Sequence, residues 1–317
     1  MTDHGSTRIN ETMQLRHVNA LIAVADTGSL RTAAKRLGIA QPSLTKIIRE
    51  IEMIMGVPLI ERTVRGSIPN EFGHILLRRA RAISEEFRRA KEEMDQLAGV
   101  GGGSVTIGLS AGAALLLSDE AISGFMKANP DAQINVREGL FDQLVNGVRQ
   151  NRLDFSVGGL PLGETGSGVE TELLFQNKIV PAARRGHGLA KARSFEALIG
   201  SNWALTNDEP TFFKMLEEHF QQLGLAMPQV LLKCESFFTI LQLVPQTDLI
   251  VAIPQSLLRH PMVEERLIAI DVKDKFPYTQ FALVRKAGAR LTPLAEQLAG
   301  HVRKAAKKVA GSFEVDA

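Results

Sequence analysis

Gln41, Ser43, Thr45, Lys46 and Arg49 share one short amphipathic stretch in which Leu44, Ile48, Ile51 and Met55 recur at steps of four, three and four. That period belongs to a helix with one apolar face, so the polar set faces outward. Amides and hydroxyls hydrogen-bond base edges, and cations hold phosphates. Gln41, Ser43 and Thr45 are therefore expected to touch DNA bases, and Arg31, Lys46, Arg49, Arg62 and Arg65 to hold the backbone. Pro42 completes the DNA-facing set and suits a first helical turn, where a missing N–H costs nothing.

No comparable set exists for catalysis. His4, His17, His74, His187, His219, His260 and His301 are scattered, with no metal-ligand spacing. No enzymatic activity, metal or cofactor is expected. Gly101-Gly102-Gly103 precedes no Lys-Ser/Thr pair and is not a phosphate loop. Cys234 has no second cysteine with which to pair; it reads as a structural thiol in a reducing compartment.

The elements that position the polar set form a helix-turn-helix. Leu15, Val18, Leu21, Ile22 and Ala25 give a first helix ending near Gly28. Ser29 caps a second, in which Ala33, Ala34 and Leu37 share a face, and Gly38 ends it. The third follows almost at once, and the paired alanines permit a close, steep crossing. β-Formers on both sides of Arg65-Gly66 predict a two-stranded wing.

Nothing breaks a helix from Glu71 to Leu97. Leu76, Ala80, Ile83, Phe87, Ala90, Met94 and Leu97 alternate steps of four and three, a period of about 3.5, the spacing of a helix–helix seam. Arginines flank the stripe, so a homodimer through 71–98 is expected. Gly99–Ser104 reads as a hinge.

Beyond the hinge, short apolar strands alternate with helices, which predicts an α/β region built on parallel sheet. Strands are expected at 105–109, 132–138, 153–157, 178–183, 203–206, 230–235, 249–253 and 278–285. Helices are expected at 113–128, 141–150, 211–223, 237–244 and 293–308.

The 317 residues carry a net charge of +2, 44% hydrophobic residues and 23% charged ones, an ordinary globular composition. The charge is uneven: residues 14–91 hold 14 Lys/Arg against 7 Asp/Glu, whereas from residue 99 onward 22 face 23. A basic module joined to a near-neutral one fits phosphate binding at one end only. No apolar run approaches the roughly 20 residues of a membrane span, and the first residues lack the order of a signal peptide. A cytoplasmic location, with no membrane partner, is expected.

The N-terminal residues resemble the LysR-type transcriptional regulators. The family motif appears as Gly28-Ser29, Ala33-Ala34, Leu37, Gln41-Pro42-Ser43, Ile48, Ile51-Glu52, Gly56 and Leu59-Ile60-Glu61-Arg62. Gly186–Ala190, the Trp203 strand and the spacing to Asp248 extend the resemblance along the chain. Leu21, Thr45, Ile60 and Pro69-Asn70 depart from the family's usual residues, with Asn70 an acceptable helix cap. Ile47 stands where a polar residue is common; a thymine-methyl contact and packing against the linker helix are both open readings.

The resemblance implies an all-α winged helix-turn-helix domain at 1–70, a linker helix at 71–98, a hinge at 99–103 and a periplasmic-binding-protein-like effector domain at 104–317. Its lobe one would take 104–175 plus 272–317 and lobe two 176–271, the two joined by two crossing strands with a small molecule in the cleft between them. Hydroxyls stand at three strand-to-helix junctions, and Ser110, Thr206 and Ser236 match the family's usual effector contacts. Ala111, Gly158, Asn207, Phe237 and Ile253 extend the expected site. Each hydroxyl alone would serve as a helix cap.

The segment Cys234-Glu235-Ser236-Phe237-Phe238, with Thr247-Asp248 and Ile253-Pro254, is similar to the subgroup containing the regulator of toluenesulfonate degradation; that ligand is not carried over. Asp208, Glu209 and Glu235 lie near the junctions with Lys233 as the one base, so sugars and small organic acids both stay open. The resemblance further implies an interrupted palindromic DNA site, a homotetramer, and RNA polymerase as a further partner. A solute-binding protein or an enzyme-like ligand domain, either with an accessory basic module, is the rival reading.

Overall fold

A computed structural model describes residues 13–63, 66–98, 102–160, 166–206, 210–274 and 278–312, without the side chains of Arg62, Thr63, Thr206 and residues 210–212. The chain divides into two compact units, one running to Met94 with Gln150–Arg152 and the other comprising the remainder.

In the first unit, α1 (Leu15–Thr27), α2 (Leu30–Leu37) and α3 (Gln41–Met55) precede the hairpin of β1 (Ile60–Thr63) and β2 (Gly66–Pro69) and the long helix α4 (Glu71–Leu97). Local chemistry sets the boundaries. The Ser29 hydroxyl accepts the Thr32 N–H, and Gly28, Gly38 and Gly56 each end a helix at positive φ. Ala33 and Ala34 are buried with Leu21, Val24, Leu44 and Ile51, and the small pair lets α2 approach its neighbours. The wing is docked as well as paired. Ser67 N donates to Gly28 O at 2.8 Å, and a β-carbon on Gly66 would lie 2.2 Å from that carbonyl.

Asn70 starts α4. Its Oδ1 accepts the Gly73 N–H at 2.9 Å while its Nδ2 donates to Pro58 O at 2.9 Å, so one side chain caps the helix and ties it to the approach to the wing. Along α4 the apolar stripe divides. Leu77 and Ala80 are buried in the N-terminal core, whereas Ile83, Phe87, Met94 and Leu97 are exposed.

The second unit is built on β3 (Ser104–Leu109), β4 (Gln133–Glu138), β5 (Phe155–Leu160), β6 (Val169–Arg184), β7 (Asn202–Thr206), β8 (Gln229–Cys234), β9 (Leu249–Pro254), β10 (Leu267–Ala269) and β11 (Tyr278–Lys286). Its α-helices are α5 (Ala111–Ala128), α6 (Phe141–Arg149), α7 (Pro210–Gln222), α8 (Phe237–Leu243), α9 (Pro261–Glu264) and α10 (Pro293–Gly311). The strand order is β4-β3-β5-β11-β6-β9-β7-β8, with β10 beside β6.

The sheet is mixed, parallel within each lobe as the strand–helix alternation predicts and antiparallel at the strands that cross between lobes. β3 runs parallel to β4 and β5, and β7 parallel to β8 and β9, but β11 is antiparallel to β5 and β6, and β6 antiparallel to β9. The reason is the crossing. β6 pairs with β11 from Val169 to Lys178 and with β9 from Ile179 to Ala182, so it leaves one lobe and enters the other against the local strand direction. Its first half was not expected as strand because Glu170, Glu172 and Gln176 interrupt any apolar run.

Each lobe has its own core. Phe125, Phe155, Leu117 and Leu298 pack between α5, α10 and the first sheet half. Trp203, Phe195 and Phe220 do so in the other, with Trp203 and Phe220 edge-to-face at 5.9 Å. Arg303 of α10 grips Glu172 of β6 through two nitrogens at 2.8 and 2.9 Å, and this hydrogen bonding raises the guanidinium pKa beyond its already high ordinary value.

Candidate DNA-reading surface and ligand cleft

On α3, Gln41, Pro42, Thr45, Lys46 and Arg49 border one surface depression. Residues at i, i+4 and i+8 stack along a helix, so Gln41, Thr45 and Arg49 form one row beside Pro42 and Lys46. Ser43 and Arg31 are exposed but do not border that depression. Arg65 lies outside the described residues, as does the side chain of Arg62, whose backbone belongs to β1.

Two contacts refine the row. The Thr45 hydroxyl donates to Gln41 O at 3.0 Å, which commits its proton to the helix and leaves the oxygen lone pairs and the methyl for a ligand. Glu50 stands 4.0 Å from Lys46 Nζ and 3.4 Å from the buried His17 Nε2, joining α3 to α1. Ile47 is half-buried and packs against the N-terminal core.

The second candidate site is a cavity of about 380 Å³ between the lobes, within the range of small-molecule sites. Strand ends and helix starts build it. Ser110 follows β3 and caps α5, accepting the Ala113 N–H at 3.3 Å; Ser236 follows β8 and caps α8, accepting the Thr239 N–H at 3.2 Å. Each hydroxyl thus keeps its own proton to donate. Ser110, Ala111, Ser236, Phe237 and Ile253 all line the cavity.

Gly158 does not line it. It lies behind the wall, where a β-carbon would meet the Ser110 Cβ and Oγ at 3.1 Å, while Gly159 and Leu160 reach the cavity. Asn207 lies outside the described residues, as does the side chain of Thr206. Sequence reasoning missed Glu138, Gln143, Met215, Thr279 and Phe281, which line the cavity too. Glu138 and Gln143 were legible in principle, since Glu138-Gly139-Leu140 is a fourth strand-to-helix junction. Phe281 was not, because its place depends on β11 pairing with β6, where it stacks on Phe175 at 4.8 Å.

Among the described residues, no group of His, Cys, Asp and Glu could hold a metal ion, and no helix is long and apolar enough to cross a membrane.

Residues 15–74 match the lysR family of bacterial regulatory helix-turn-helix proteins, and residues 98–307 match the LysR substrate binding domain. The HTH-type transcriptional regulator TdcA of Escherichia coli is 26% identical over 293 residues, covering 90% of this chain and 93% of TdcA. GbpR of Azospirillum brasilense, another HTH-type transcriptional regulator, is 29% identical over 248 residues, covering 77% of this chain and 72% of GbpR. The crystal structure of full-length CbnR complexed with its target DNA shares the fold, with a TM-score of 0.67 at 20% identity over 92% of this chain and 100% of CbnR.

Proposed function

Because the chain belongs to the LysR family and is a ligand-responsive, DNA-binding transcriptional regulator, we propose that Gln41, Ser43 and Thr45 read bases in the major groove while Arg31, Lys46, Arg49, Arg62 and Arg65 hold phosphates, with Pro42 against the duplex. The observation that carries this reading is the single outward row of Gln41, Thr45 and Arg49 on the helix that follows the tight turn. In the same reading the small-molecule effector lies between the lobes against Ser110, Ala111, Ser236, Phe237 and Ile253, with Thr206 and Asn207 beside them.

A homodimer through the exposed stripe of Ile83, Phe87, Met94 and Leu97 would present two α3 helices to successive grooves of an interrupted palindrome. Assembly of such dimers into a tetramer, contact with RNA polymerase and a cytoplasmic location belong to this proposal. So does kinship with the toluenesulfonate-degradation regulators, which rests on Cys234–Phe238 and implies no shared ligand.

Footprinting of the full-length protein on DNA flanking its own gene tests the reading. Two half-sites about one helical turn apart, or a multiple of that, are expected. Gln41→Ala and Thr45→Ala should weaken discrimination between matched and mismatched half-sites by about tenfold each, within the 1–3 kcal/mol of a base contact. Unchanged discrimination in both variants would remove α3 from base reading.

A further inference from the structure

The charges on the cleft wall restrict what the cavity holds. Among its described lining residues the only ionisable side chains are the carboxylates Glu138 and Glu235, with no Arg, Lys or His. Glu138 ends β4 in one lobe and Glu235 follows β8 in the other, so the cavity has one acid on each side. Among the described residues neither carboxylate has a hydrogen-bond or ion-pair partner. The basic neighbours in sequence are placed elsewhere. Arg137 precedes Glu138 on β4, and alternation sends it to the opposite sheet face; Lys233 lies with its Nζ 5.4 Å from the centroid of the Phe213 ring. Most of the remaining wall is apolar, including Met215, Leu257 and the rings of Phe237 and Phe281.

Resting on the reading of this cleft as the effector site, we propose that its effector is an organic cation, a small molecule with an ammonium group on a largely apolar body, held between Glu138 and Glu235. Among the described lining residues an anionic effector would meet two like charges and no cationic side chain, whereas an ammonium finds an acceptor on each lobe and an apolar wall for its carbon frame. A cation that binds both acids would link the two lobes, since Glu138 belongs to one and Glu235 to the other. A ligand that binds the closed form better shifts the population toward it.

The test is calorimetric titration of the full-length protein with matched probes: 2-phenylethylamine, 2-phenylethanol and 3-phenylpropanoate, then hexylamine, hexanol and hexanoate. An amine should bind at least tenfold more tightly than its alcohol and carboxylate counterparts. Glu138→Gln and Glu235→Gln should each weaken amine binding about tenfold. Ala111→Trp, which fills the cavity, should abolish it; if that variant does not fold, Leu140→Trp at the same wall replaces it. The proposal is overturned if no amine binds, if a carboxylate or alcohol binds as tightly, or if both Gln variants leave amine binding unchanged. Amine binding that survives the filled cavity overturns the cleft reading as well; binding lost on filling but indifferent to both Gln variants overturns the cation alone.

Discussion

The Glu52 carboxylate accepts the backbone N–H of Leu59 at 2.9 Å, and its same oxygen lies 3.3 Å from the N–H of Ile60. A side chain of helix α3 thereby fixes the start of the wing. Hydrogen bonds to a charged acceptor contribute about 1.5–3 kcal/mol. Glu52→Ala is expected to speed amide exchange at Leu59 and Ile60 about 30-fold, corresponding to roughly 2 kcal/mol of local opening. Glu52→Gln keeps an oxygen acceptor without the charge and should cost less than half as much. Equal exchange in wild type and Glu52→Ala would show that the wing is held by its strand pairing alone.

Glu52 also marks what the sequence discloses. Its place in the motif was evident, and so were the helix-turn-helix, the wing and the long helix, because each is written in local spacing and capping residues. The cleft was legible only at its strand ends. Ser110 and Ser236 follow apolar strands and announce themselves, whereas Phe281 and Thr279 reach the wall through the long-range pairing of β11, which no local period encodes. The antiparallel course of β6 escaped for the same reason. Its exposed Glu170 and half-buried Glu172 meet Arg285 and Arg303 across elements, so their polarity does not mark a loop.

Phosphate contacts have their own signature. Arg49 borders the α3 depression and is exposed, while Lys46 stands near Glu50. Removing one phosphate contact lowers the slope of log affinity against log salt by about one and weakens all sequences alike. Arg49→Ala should therefore flatten the slope by about one per protomer while preserving discrimination. A steep slope with lost discrimination would assign Arg49 to a base edge instead.

Gly73 sits in the first turn of α4, where alanine would ordinarily favour the helix by about 1 kcal/mol. Here a β-carbon would stand 2.1 Å from Leu59 O and 3.0 Å from the Pro69 Cβ. The obstructing atom is backbone and cannot rotate away, so overpacking, typically about 1–3 kcal/mol, outweighs propensity. Gly73→Ala is expected to lower the melting temperature of the full-length protein. A rise would mean that α4 shifts without cost.

Asn177 and Ser256 form a buried pair where β6 passes from its partner β11 to its partner β9. The Asn177 amide donates to the Ser256 hydroxyl, and its Oδ1 accepts the Ser256 N–H at 3.4 Å. Removing one partner strands a buried polar group, which costs about 1–3 kcal/mol, whereas replacing both with apolar groups of similar shape approaches neutrality. Ser256→Ala should thus destabilise by about 2 kcal/mol, because the Asn177 donor loses its acceptor. Asn177→Leu should cost at least as much, since it leaves the Ser256 N–H and hydroxyl without a partner. The double variant should cost less than the sum, with a coupling of about 1–2 kcal/mol between the two positions. Thermal unfolding of the four proteins measures this cycle. Strict additivity would mean that the two side chains act independently, and that β6 is held at the crossing by its strand pairing rather than by this pair.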